Sequence, residues 1–262
     1  MNRIQHTLNK FASPSGRLGG ALNVYLTAGF PALNDTVEIV QELANNGVDM
    51  VEIGMPFSDP LADGPTIQHS SEVAIKNGIT LDLIFSQIEE IRKTVNIPII
   101  LMGYYNQMFQ YGVKKFIEKA SQVGVDGLII PDLPLDIYQQ EYKALFAEHN
   151  IKMSFLITPQ TSDNRIKLIA SESNAFLYVV SSYAITGGKS DINDKQIQYF
   201  NRIKNLNIDT PKLIGFGISS KTTFDTACKY AEGAIIGSAF IKAIAKSDNI
   251  KNTIEEFIKT IK

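Results

Sequence analysis

Glu52 interrupts the otherwise apolar run Met50-Val51-Glu52-Ile53-Gly54. A carboxylate among such neighbours is either inside a binding mouth or forced between packed elements. Burial favours its protonated form and raises its pKa, which suits proton transfer near neutral pH. The competing reading is a structural acid paired with a buried Lys or Arg. The segment that follows, Gly54 to Pro65, carries three prolines and two glycines, so it reads as an ordered loop. Asp59 precedes Pro60 and suits a turn start. Asp63, in Asp63-Gly64-Pro65 ahead of Thr66-Ile67-Gln68-His69, looks by position alone like the cap of a helix entry with Pro in its first turn.

A second group of residues suits an anion. Thr186-Gly187-Gly188, Gly215-Phe216-Gly217 and Gly237-Ser238 each follow a short apolar run. Glycine lets backbone N–H groups approach a phosphate closely, and a helix starting near Ser238 would aim its positive end there. Any one pair is an ordinary turn; three after consecutive runs point to a phosphate site. Tyr25, Met102, Tyr104, Ile129, Ile157 and Tyr178 fall near the ends of other runs, as ordinary filling or as the wall of a pocket for a flat apolar group. Cys228 is the only cysteine, and His6, His69 and His149 lie far apart. That pattern disfavours a metal-dependent mechanism and excludes an internal disulfide.

The elements that must position these residues follow from periodicity. Unbroken apolar runs mark strands buried on both faces at Leu22–Thr27, Met50–Ile53, Ile97–Met102, Gly127–Ile130, Met153–Ile157, Phe176–Val180, Lys212–Ile214 and Ala234–Ile236. Between them Thr36–Asn46, Leu81–Thr94, Lys114–Val123 and Leu135–Asn150 carry apolar residues at helical spacing. Eight such alternations predict a closed (β/α)₈ TIM barrel, whose chemistry belongs at the C-terminal ends of the strands. Asn46-Gly47-Val48-Asp49 and Val123-Gly124-Val125-Asp126 form a faint repeat, each a helix end leading into a strand. Ile4, Leu8 and Phe11 recur at helical spacing and predict an additional N-terminal helix docked on the barrel. No linker or low-complexity tract interrupts residues 1–262, which read as one domain.

Composition closes off other classes. The chain of 262 residues is 44% hydrophobic and 20% charged, enough for a core without disulfides or metal staples. A net charge of −2 without a basic stripe gives no reason to expect nucleic acid or an anionic membrane. No apolar run has membrane-spanning length, and the N-terminus lacks a signal peptide's apolar core, so a cytoplasmic enzyme is expected.

The segment Val51-Glu52-Ile53-Gly54-Met55-Pro56-Phe57-Ser58-Asp59-Pro60-Leu61-Ala62-Asp63-Gly64-Pro65-Thr66-Ile67-Gln68 closely resembles the signature of the tryptophan synthase alpha chain family. The resemblance continues in register through Tyr25 to Pro31, Met102 to Asn106, Pro131-Asp132-Leu133-Pro134, Thr186-Gly187, Gly215 to Ser219, and Gly237-Ser238. It implies a carbon–carbon lyase of tryptophan biosynthesis that cleaves indole-3-glycerol phosphate to indole and glyceraldehyde 3-phosphate without a cofactor. Carried over by motif, Glu52 is the principal acid/base group and Asp63 accepts the hydrogen bond of the indole N–H. Tyr25, Met102, Tyr104, Ile129 and Tyr178 then line the indole pocket. Thr186, Gly187, Phe216, Gly217, Gly237 and Ser238 complete the substrate site around the phosphate.

The same resemblance implies a beta-chain partner that carries pyridoxal phosphate, in an α2β2 heterotetramer, with Asn106 and the Pro131–Pro134 loop facing it. Ser181-Ser182-Tyr183-Ala184-Ile185-Thr186-Gly187-Gly188 departs from the family pattern, which has an Arg near Ser182 and a Val before the Thr. The Thr-Gly core is retained. Three alternatives stay open: a stand-alone lyase releasing free indole, another phosphosugar aldolase or isomerase, and a silent phosphate-binding regulatory subunit. A Schiff-base aldolase would need a Lys at a strand end, and none stands there. Retention of Glu52 and Asp63 speaks against the silent subunit.

Overall fold

The computed structural model of the chain describes residues 2–11, 19–60, 63–181, 192–215 and 217–262. Its strands are β1 (Ala21–Thr27), β2 (Met50–Gly54), β3 (Ile99–Met102), β4 (Gly127–Ile129), β5 (Lys152–Met153), β6 (Leu156–Ile157), β7 (Leu177–Val180), β8 (Lys212–Gly215) and β9 (Gly233–Ile236). All pairings are parallel, in the order β5-β4-β3-β2-β1-β9-β8-β7-β6. The expected strand at 153–157 is thus two pieces rather than one. The first piece pairs with β4 and the second with β7, so the stave changes neighbour part-way along. Across the break, Ser154 N donates to Leu128 O (3.0 Å) and Tyr178 N donates to Phe155 O (2.9 Å). The two ends of the sheet therefore meet through this stave, and the parallel ring is the TIM barrel.

Strand side chains alternate between two separate cores, as the two-residue period requires. Ala21, Met50, Ile100, Ile129, Phe176, Tyr178, Leu213 and Ile235 pack inside the ring. Leu22, Val51, Ile53, Leu101, Leu128, Leu177, Ile214 and Ala234 pack outward against the helices. Both faces being buried explains why the strands read as unbroken apolar runs.

The helices keep their expected places with shifted bounds: Asp35–Asn45, Leu81–Ile91 and Val113–Gln122. The expected helix at 135–150 is segmented into Leu135–Ile137, a π-helical turn Tyr138–Tyr142 and Lys143–Glu148. Gly47 and Gly124, the repeat glycines, both take the left-handed backbone that ends a helix.

The N-terminal helix, Arg3–Asn9, is a plug. Its Ile4 and Leu8 are fully buried in the inner core, with Phe11 against it. Asn2 caps it by accepting from Ile4 N (2.9 Å) and donates Nδ2 to Asp126 O (3.0 Å) just before β4. Asp126 is itself held by Arg92 (2.6 Å) and Arg3 (3.0 Å). The plug therefore fills the N-terminal end of the barrel and leaves the C-terminal end for the site.

Candidate active site

β2 fixes where Glu52 points. Met50 faces the interior, so Glu52, two residues on, does too, and it is fully buried. Its Oε1 accepts a hydrogen bond from Asn23 Nδ2 on β1 at 2.6 Å. Its Oε2 is buried with no hydrogen-bond partner among the described residues. Burial pushes the carboxyl up to about 8, with the Asn23 amide pulling the other way. No cation holds it among the described residues, so the buried ion-pair reading does not apply.

The capping reading of Asp63 is overturned. Gly64, in extended conformation (φ −79, ψ 167), stands at the N-cap of the helix Pro65–Lys76, and no side chain caps it. Pro65 has no N–H to satisfy, so the entry needs a cap less. The Asp63 carboxylate goes elsewhere: its Oδ2 accepts from the Tyr104 hydroxyl at 3.0 Å. Burial raises it to about 6, opposed by that hydrogen bond.

The described residues of the 54–65 segment are held by hydrogen bonds. Asp63 N donates to Pro60 O (3.0 Å), Gln68 Nε2 to Asp63 O (2.9 Å), and Gln107 Nε2 to Pro56 O (2.9 Å). Phe57 stacks on the Tyr104 ring with centroids 5.1 Å apart.

Tyr25 and Tyr178 both face inward, on strands separated by β9 and β8, and each lies across a glycine of the next strand. A Cβ at Gly54 would overlap the Tyr25 hydroxyl, and one at Gly215 would overlap the Tyr178 hydroxyl. Both phenols are pushed well above their usual range, by burial first and then by the charges of Glu52 and Asp63. The two carboxyls and the two tyrosines thus share one electrostatic environment. Met102 ends β3 and is half-buried; Ile129 ends β4 and is buried. The Tyr104 hydroxyl, two residues past the end of β3, brings this part of the barrel mouth against Asp63.

Gly237 follows β9, the other neighbour of β1, and Ser238 opens the short helix Ser238–Ile244. A Cβ at Gly237 would lie 3.5 Å from the Tyr25 Cβ, so this corner adjoins the acid site. At Gly217 the nearest atom to such a Cβ is the Ser181 Oγ, 3.9 Å away. Thr186, Gly187 and Phe216 lie outside the described residues, as does the atypical 182–188 segment.

Asn106 stands on the helix Tyr105–Tyr111, whose Tyr105 N donates to Asp132 Oδ1 (2.8 Å). The two segments expected to face a partner are thereby tied together. Asn23 is the site residue that the sequence reading missed. Its signal was present: a lone amide in the apolar run Leu22-Asn23-Val24-Tyr25, on the same strand face as Tyr25.

Among the described residues no His, Cys, Asp or Glu cluster could hold a metal, and no helix is long and apolar enough to cross a membrane. Fold and site together define a (β/α)₈ barrel with two carboxyls, Glu52 on β2 and Asp63 in the segment after it, both raised towards neutral pH by burial. A family model described as tryptophan synthase alpha chain matches residues 11–262. The tryptophan synthase alpha chain of Flavobacterium johnsoniae is 56% identical over 262 residues, covering 100% of both chains. The solved tryptophan synthase A-subunit of Pyrococcus furiosus is 34% identical with a TM-score of 0.86, over 93% of this chain and 98% of that one. A chain of the aminoacrylate-bound tryptophan synthase of M. tuberculosis is 26% identical with a TM-score of 0.85, over 100% of each. The chain belongs to the tryptophan synthase alpha chain family. These are lyases of tryptophan biosynthesis, and the alpha reaction cleaves indole-3-glycerol phosphate to indole and glyceraldehyde 3-phosphate. Membership of this family implies a beta-chain partner.

Proposed function

We propose that Glu52 and Asp63 divide the proton and charge handling of this cleavage. The observation that carries the reading is Glu52 itself: a fully buried carboxyl with one neutral donor and a second oxygen left open. With its pKa pushed to about 8, it enters the cycle as the acid. It gives its proton to C3 of the indole ring, which moves positive charge onto the ring nitrogen. Asp63, ionised above about 6, accepts the N–H hydrogen bond and balances that charge. Glu52, now a carboxylate, takes the proton of the glycerol hydroxyl on the carbon attached to C3. That oxygen forms its carbonyl, the C–C bond breaks, and its electron pair returns to the ring and neutralises the nitrogen. Indole and the aldehyde leave, and Glu52 is protonated again, so the cycle closes without a cofactor.

The remaining roles follow the same reading. Tyr25, Met102, Tyr104, Ile129 and Tyr178 enclose the indole. Backbone N–H groups around Gly187, Gly217 and Gly237, with Ser238, Thr186 and Phe216, hold the phosphate end. The chain 1–262 works as one barrel domain in the cytoplasm. It pairs with a beta chain in an α2β2 assembly, and the pyridoxal phosphate belongs to that partner. The helix Tyr105–Tyr111 and the Pro131–Pro134 loop form part of the contact, beside a groove of about 430 Å³ lined by Pro56, Asn106, Gln107 and Tyr111.

The experiment is turnover of indole-3-glycerol phosphate by the purified chain, alone and with a beta chain. Cleavage alone that rises when the beta chain is added supports this reading. Cleavage indifferent to the beta chain makes it a stand-alone lyase, and no cleavage under either condition makes it a silent subunit.

A further inference from the structure

Asn23 has no place in the motif that marks the family, yet it makes the only hydrogen bond to the Glu52 carboxyl among the described residues. Both side chains are fully buried inside the ring. The register brings them together: Asn23 lies opposite Met50 and Tyr25 opposite Glu52 on the paired strands β1 and β2. An amide buried without function in an apolar barrel costs free energy, and its Oδ1 has no hydrogen-bond partner among the described residues. What the amide does achieve is to occupy one carboxyl oxygen.

We infer that Asn23 is a positioning residue for the lyase reaction: its amide N–H anchors Oε1 of Glu52, fixing the carboxyl and leaving Oε2 to carry the proton. The inference rests on the reading of Glu52 as the acid/base group. An oxygen that accepts an N–H bond is a poor seat for the acid proton, so the proton resides on Oε2. A fixed carboxyl matters because one group must reach two atoms in turn, the ring carbon and then the hydroxyl oxygen, and a misplaced donor loses rate steeply.

Other groups act on Glu52 less directly. Ile100, its partner on β3, is apolar. Tyr25 on β1 and Tyr178 on β7 feel its charge, as they feel that of Asp63 beyond. Tyr104 is engaged with Asp63. Burial holds the Tyr25 and Tyr178 phenols above the working range, so the alkaline limb of the rate profile belongs to Glu52.

The test replaces the amide by an apolar group of the same branching, Asn23→Leu, with Asn23→Ala as a second variant in case the larger apolar group impairs folding. Two measurements are made on the full chain: the pH profile of kcat and kcat/KM, and the titration of the Glu52 side-chain carboxyl by carbon NMR. Removing a donor to the carboxylate disfavours the charged form. The NMR titration and the alkaline limb should therefore both move to higher pH, while the acid limb stays in place. The kcat should fall about tenfold or more with KM changed less than about threefold, the pattern for an interaction that matters to the chemical step.

A Glu52 titration that stays put in the folded variant, or moves to lower pH, overturns the inference; the second result would mean that the amide carbonyl holds the protonated acid. An unchanged kcat with a shifted titration overturns the positioning role. Failure of the Glu52 reading looks different: Glu52→Gln would keep its turnover while the NMR titration still responded to Asn23.

Discussion

Glu52 sits on a strand paired on both sides, whereas Asp63 sits in the loop leading to the next helix, and the two acids are held by different donors. Glu52 is sealed in the ring, with an amide on one oxygen. Asp63 is half-open, with a phenol on one oxygen. Burial acts on both, but it acts harder on the strand residue, so one carboxyl is lifted to about 8 and the other to about 6. Between those values one is a carboxylic acid and the other a carboxylate. Two groups of the same chemistry thus take opposite protonation states through location alone, which is what the proposed division into proton donor and charge stabiliser requires.

The comparison breaks most completely at Glu52. Glu52→Gln keeps the shape and the ability to accept from Asn23, but it cannot cycle a proton. Turnover should fall by about 10²–10⁴-fold, the usual contribution of general acid/base catalysis. A variant retaining more than about a tenth of wild-type rate would remove Glu52 from the mechanism. Stability offers an independent check. A carboxyl whose folded pKa is raised binds more protons folded than unfolded, so its favourable contribution is complete below the unfolded value of about 4.5 and is lost as pH rises through about 8. Glutamine has no such loss. The melting temperature of Glu52→Gln relative to wild type should therefore climb steadily from about pH 5 to about pH 8. A constant difference would mean that Glu52 titrates normally.

Asp63→Asn comes next in size. It should lower turnover about 10²-fold, because a neutral amide cannot balance charge at the indole nitrogen. Neither this variant nor Asp63→Ala should show the loss of melting temperature that follows removal of a helix cap, since Gly64 rather than Asp63 stands at the helix entry. A capping aspartate replaced by alanine would cost about 1 kcal/mol. A lowered melting temperature in Asp63→Ala, with activity intact in Asp63→Asn, would restore the capping role and leave Glu52 to work alone.

The same contrast governs what the sequence made legible. Positions set by strand periodicity could be read: the staves, the inward apolar residues and Glu52 as an acid at a strand end. The break at Ser154–Phe155 could not, because a change of hydrogen-bonding neighbour leaves the apolar run unbroken. The direction of the Asp63 side chain also escaped local reading. Asp-Gly-Pro before a helix is a capping pattern, and only the contact with Tyr104, far along the chain on β3's following turn, draws the carboxylate away. The resemblance to the family had given Asp63 a role toward substrate, which position alone did not suggest. Asn23 was missed for the converse reason: its partner lies on a neighbouring strand, and one amide in an apolar run carries no motif.

The finest separation of the two acids lies in their donors, and Tyr104→Phe tests it at Asp63. The substitution removes the hydroxyl that donates to Oδ2 and keeps the ring stacked on Phe57. Without that donor the Asp63 carboxylate loses a stabilising hydrogen bond, so its titration should move upward from about 6. Asp63 must be ionised to act, so the acid limb of the kcat/KM profile should shift to higher pH. The alkaline limb, set by Glu52, should stay where it is. On the plateau the loss should be modest, about threefold to tenfold, as for one hydrogen bond to a partly solvated charge. Loss of rate should therefore be more severe near pH 6 than near pH 8. This is the mirror image of the Asn23→Leu result, where the alkaline limb moves and the acid limb holds. If Tyr104→Phe moved the alkaline limb instead, the assignment of acid and carboxylate would have to be exchanged between Glu52 and Asp63. If neither limb moved, the Tyr104 hydroxyl would be a loop fastener, and burial alone would set the Asp63 titration.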